Sequence, residues 1–131
     1  MKYKSDEDKM RVALNEAKKA HDVDEVPIGA AIFDKDDNLI CANHNRRELD
    51  QNPTSHAEIL VLEEASQILG TWRLEDTTIA VTLEPDAMCA GAIVNARIRK
   101  LIYSAPNLKA GAAYSLYNLS LIHISEPTRP S

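Results

Sequence analysis

The sequence is poor in aromatic and flexible residues: one Trp, four Tyr, one Phe and four Gly in 131 residues. Six rings are few for a base-stacking platform along a nucleic-acid strand, and four glycines make a glycine-rich phosphate loop a poor fit. Cysteine is scarce too. Cys41 and Cys89 alone cannot build a disulfide framework, so free thiols in a reducing cytoplasm are expected. No apolar run approaches the roughly 18–20 residues that span a bilayer, and the N-terminal MKYKSDEDK is unlike a secretion signal. No membrane partner is therefore expected. Positive charge is in deficit: 15 Lys and Arg face 20 Asp and Glu, and the net charge of −5 argues against an unspecific polyanion binder.

What remains fits one soluble domain, 44% hydrophobic, large enough for a single core without covalent staples. The charge is unevenly spread. Residues 84–131 carry 5 basic and 3 acidic side chains, against 7 and 10 in residues 1–37. Arg97, Arg99, Lys100 and Lys109 either meet phosphates or form a solvated helix end and loop.

Elements follow from local signals. Ser5 and the acids Asp6, Glu7 and Asp8 suit a helix start, and Met10, Ala13, Leu14, Ala17 and Ala20 mark its apolar stripe. Ile28–Phe33 and Leu39–Ala42 read as a hairpin around Asp36-Asp37-Asn38. A polar loop over 43–55 leads to a second helix over 56–69, with Ile59, Leu60, Leu62 and Ile68 as core candidates and Gly70 as its stop. Thr77–Leu83 reads as a buried strand. Pro85 fits the first turn of a third helix over 86–96, and Leu101–Ser104 is a short strand. The order α-β-β-α-β-α-β predicts an α/β layer fold with a mixed sheet covered by helices.

Three groups carry potential chemistry: His56 and Glu58 opening the second helix, and Cys89 in the first turn of the third. Taken singly, each has an ordinary structural use. Ser55 and Glu58 have the spacing of a capping box, and a lone Cys is commonly a small core residue. Taken together, His-Ala-Glu and Glu-Pro-Asp-Ala-Met-Cys resemble the zinc deaminase pattern H-x-E…P-C-x-x-C. The strings VPIGA, HNRR, NPTSHAEI, VTLEP, MCAGAIVNARI and KAGAA extend that likeness from about residue 9 to residue 118. Over this length the chain resembles the bacterial tRNA-specific adenosine deaminases.

The resemblance implies a three-layer cytidine deaminase-like α/β fold, with a central mixed sheet flanked by helices. It implies hydrolysis of adenosine to inosine at the wobble position of a tRNA anticodon by zinc-activated water, in a cytoplasmic homodimer with one Zn2+ per subunit. Glu58 matches the proton shuttle, and His56 and Cys89 match two zinc ligands. Asn45 matches a base-contacting asparagine, Ile28 an apolar wall, and the backbone of Leu83 and Glu84 lies beside the base. Asn107 falls at a loop position near the flipped nucleotide, where aspartate is common in the family.

Two departures accompany the likeness. Position 86, a zinc-ligand cysteine in the family, is Asp86, whose carboxylate can also bind zinc. A harder donor is expected to hold zinc less firmly and to admit other metals. After Asn118 the chain reads LSLIHISEPTRPS, which resembles the translation of a sequencing-library adapter. The expected division is therefore a deaminase domain over 1–118, lacking the family's last strand and helix, and a non-native tail over 119–131. Leu119, Leu121, Ile122 and Ile124 could pair at the exposed sheet edge. Two other readings stay open: a catalytically impaired RNA-binding or dimerising scaffold, and a deaminase of free guanine or cytosine.

Overall fold

A computed structural model describes residues 1–105 and the strand backbone at 123–125. Helix α1 (Asp6–Asp22) opens on Ser5, whose Oγ accepts from the Asp8 amide at 3.0 Å. Strands β1 (Gly29–Phe33) and β2 (Leu39–His44) form the expected antiparallel hairpin. The one-turn helix α2 (Arg47–Asp50) and helix α3 (Ala57–Leu69) follow. Strand β3 (Thr78–Leu83), helix α4 (Ala87–Asn95), strand β4 (Lys100–Ala105) and strand β5 (His123–Ser125) complete the described elements.

The sheet order is β2-β1-β3-β4-β5. β1 pairs antiparallel with both β2 and β3, whereas β3, β4 and β5 run parallel, so the sheet is mixed as expected. At the edge beside β4 the paired residues are 123–125, with Ile124 opposite Leu101. The boundary at residue 118, Asn107, Lys109, Leu119, Leu121 and Ile122 lie outside the described residues.

Alternation along the strands makes three layers. Ala30, Ile32, Ile79, Val81, Leu101 and Tyr103 face one way, into a core closed by Ala57, Val61, Leu62 and Ala65 of α3 and Ile93 of α4. Ala31, Phe33, Ala80 and Ile102 face the other way, against Met10 and Ala13 of α1. Gly29 permits that closeness: a Cβ there would come within 2.0 Å of the Ala13 carbonyl oxygen.

Several expectations need correction. Leu14 and Ile68 are exposed: the buried stripe of α1 runs Met10, Ala13, Ala17, Ala20, and the buried face of α3 stops at Ala65. Ile59 and Leu60 are only partly buried. The loop over 43–55 contains α2 and the end of β2. Pro85 precedes the helix rather than occupying its first turn, and Asp86 is the N-cap.

Candidate active site

The site is assembled by two helix N-termini. β2 and α2 lead to α3, whose N-cap is His56, and β3 leads through Glu84-Pro85 to α4, whose N-cap is Asp86. Because β1 and β3 are neighbours, the two helices start side by side. His56 Nδ1 lies 3.6 Å from Asp86 Oδ2 and 3.5 Å from Cys89 Sγ. One donor atom from each of the three residues falls within 4.8 Å of the others.

These separations fit a common cation. Two bonds of about 2.0–2.3 Å at a tetrahedral angle place donor atoms roughly 3.3–3.8 Å apart. His56, Asp86 and Cys89 would offer such an ion one nitrogen, one oxygen and one sulfur ligand. Among the described residues this His-Asp-Cys cluster is able to hold a metal ion.

Asp86 divides its carboxylate between two tasks. Oδ1 accepts from the Cys89 amide at 3.0 Å and caps α4, while Oδ2 faces His56. Cys89 is fully buried; that burial, then the charges of Glu58 and Asp86, push its thiol upward. Thiolate is therefore favoured only against a bound cation.

Glu58 is 4% exposed, two residues beyond His56 in the first turn of α3. Burial raises its pKa to about 7, assisted by the charge of Asp86; its own backbone amide and a bond with Cys89 act the other way. The capping-box reading does not hold, since the N-cap is His56 and Ser55 Oγ donates to Asp50.

Beside this cluster is a pocket of about 180 Å³ lined by Val26, Ile28, Asn45, Arg47, His56, Ala57 and Glu58. Asn45 is buried, and its carbonyl oxygen accepts from the Arg47 amide at 3.0 Å. That bond leaves its NH₂ group as the end available to a ligand. Leu83 and Glu84 do not line this pocket; they end β3 on the way to Asp86, and the Glu84 amide donates to the Ala105 carbonyl. A larger groove of about 550 Å³ between α3 and α4 has Glu63 as its sole titratable lining residue, so the chemistry does not reside there.

Arg97, Arg99 and Lys100 are remote from the cluster. β3 and β4 pair from Thr78–Lys100 to Leu83–Ala105, which puts Lys100 a strand length away, roughly 17 Å at about 3.3 Å per residue. Lys100 is also bound to Asp6 at 2.9 Å. Sequence reasoning missed Arg47 and Glu25, whose carboxylate receives the α2 amides.

The pattern of the MafB19-like deaminases matches residues 4–129. A tRNA-specific adenosine deaminase of Bacillus subtilis (strain 168) is 48% identical over 114 residues, which are 87% of this chain and 70% of that protein. The chain belongs to the tRNA-specific adenosine deaminase family. A further member, from Aquifex aeolicus, is 44% identical over 91% of this chain and 76% of its own length. A solved structure from a study of A-to-I editing by tRNA:A34 deaminases superposes with a TM-score of 0.85, at 39% identity and 90% coverage of both chains. Guanine deaminase from Bacillus subtilis superposes at 0.73, with 31% identity, 76% of this chain and 64% of its own. Membership fits the observed α/β/α layers.

Proposed function

We propose that this chain hydrolyses adenosine to inosine at the wobble position of a tRNA anticodon. The observation that carries the reading is the clustering of His56, Asp86 and Cys89 beside a small pocket whose wall includes His56 and buried Glu58. In that reading His56, Asp86 and Cys89 hold one Zn2+, which when bound would polarise a water molecule and supply hydroxide near neutral pH. Glu58 accepts one water proton at its carboxylate and passes it to the ring nitrogen, then accepts the proton of the newly added hydroxyl and passes it to the departing amine. The C–O bond forms, the exocyclic C–N bond breaks, and ammonia leaves. Its burial, with a pKa raised to about 7, suits both transfers.

Asn45 would donate to the base, and Ile28 would cover its face. The target base must leave the anticodon stack to enter such a pocket. On the same reading the chain acts as a cytoplasmic homodimer on the anticodon loop. No helix among the described residues is long and apolar enough to cross a membrane.

The test is product analysis after incubation of zinc-loaded protein with an anticodon stem-loop, with free guanine and cytidine as parallel substrates. Inosine in the stem-loop supports the proposal. Guanine conversion without inosine overturns it in favour of a free-base deaminase, the reading that the guanine deaminase neighbour keeps in view. Inosine only after Asp86→Cys would mean that the His-Asp-Cys set is disabled and that the natural chain is a scaffold.

A further inference from the structure

The pocket has an acidic side and one cation. Glu58 lines it and Asp86 lies beside it, yet a nucleic-acid substrate brings negative phosphates to its mouth. Among the described residues Arg47, exposed at the rim, is the only Lys or Arg lining the pocket. It belongs to α2, a single turn too short to hold itself in place by helix formation alone.

Glu25 supplies the missing anchor. Its side chain is buried, 5% exposed, and its two oxygens accept from the Leu49 amide at 2.7 Å and the Glu48 amide at 3.3 Å. Glu25 also begins the segment whose Val26 and Ile28 form the facing wall, and the Ile28 carbonyl accepts from the Asn45 amide at 3.0 Å. A carboxylate at one wall thus fixes the turn that forms the other. Other links, among them Arg46 to Asp50 at 3.1 Å, the Arg46 amide to the Ser55 carbonyl at 2.9 Å and the Arg47 amide to the Asn45 side chain at 3.0 Å, are local to the turn.

We propose that Arg47 contacts a phosphate flanking the bound base, and that Glu25 is the positioning residue that holds α2 so that Arg47 stands at the rim. The assignment rests on the RNA-deaminase reading and adds to it the groups that receive the backbone. Because Arg47 is exposed, its removal leaves the fold intact. Glu25 acts through it, so the two effects overlap instead of adding.

The experiment is fluorescence anisotropy of a labelled anticodon stem-loop, titrated with the full chain at several salt concentrations. Arg47→Ala is expected to weaken binding about 3–10-fold and to reduce the slope of log K against log salt by about 0.7, the loss of one single-strand phosphate contact. Glu25→Ala reduces the slope likewise, Glu25→Gln less, and Glu25→Ala adds little to Arg47→Ala. An Arg47→Ala protein with unchanged affinity and slope overturns the assignment, as do effects that add fully in the double variant. If the unaltered chain does not bind the stem-loop, the functional reading falls and this proposal with it. Binding by the unaltered chain with no effect of either substitution removes only Arg47 and Glu25.

Discussion

The two helices that deliver the polar cluster begin differently. α3 starts on His56, whose side chain makes no cap and points its ring at the cluster. α4 starts on Asp86, which caps the Cys89 amide and still presents an oxygen to His56. Chemistry and helix stability compete for the same residue in α3, and one carboxylate serves both in α4. Cysteine at position 86, as in the related pattern, would offer a softer ligand but a poor cap. On the proposed reading, the departure to Asp86 exchanges metal affinity for a firmer helix start.

The largest effect expected falls on the α3 side, at Glu58. Glu58→Gln keeps size and hydrogen-bonding capacity but cannot carry the proton. Inosine formation should fall by about 10²–10⁴-fold while bound zinc stays at the unaltered level. Single-turnover kinetics with elemental analysis check this. A rate within tenfold of the original would remove Glu58 from the reaction.

The next contrast is between ligands. His56→Ala removes a ligand and no cap, so metal content should drop well below one per chain while the metal-free protein melts unchanged. Asp86→Ala removes both, and the metal-free protein should also lose about 1 kcal/mol, a melting shift of roughly 3–5 °C. Equal metal-free melting temperatures for the two variants would break the comparison between the helix starts.

Asp86→Cys sharpens it from the other direction. A thiolate in place of the carboxylate should tighten zinc at least tenfold in a competition with a chelator of known affinity, while the metal-free form loses the cap and melts a few degrees lower. Tighter zinc with no loss of metal-free stability would show that the Cys89 amide does not need Asp86.

Much of this site was legible because its parts are local strings. His56-Ala57-Glu58 and Asp86 to Cys89 each sit within one helical turn, and their spacing carried the likeness. The α/β/α layering followed from alternation and helical periodicity, which depend only on near neighbours. Periodicity fixes a stripe but neither its width, which leaves Leu14 outside, nor its end, which in α3 comes at Ala65 and leaves Ile68 exposed. α2 was missed because four residues show no period, and its Leu49 is exposed. Glu25 gave no local signal at all: its partners are 23 and 24 residues away, so only the folded chain reveals its use.

The smallest effect concerns what remains when the metal is taken away. If His56 holds the proposed cation, chelation removes that tie, and no side-chain cap then secures the first turn of α3. In α4, the bond from the Cys89 amide to Asp86 Oδ1 does not depend on a cation. Amide exchange at Ile59 and Leu60 should therefore quicken severalfold on chelation, whereas the Cys89 amide should keep most of its protection. Asp86→Asn provides the control, since Asn caps nearly as well and binds metal less strongly. Its Cys89 amide should stay protected with or without zinc. If chelation in the unaltered chain opens both helix starts equally, the metal rather than the Asp86 cap holds α4, and the two helix starts differ only in composition.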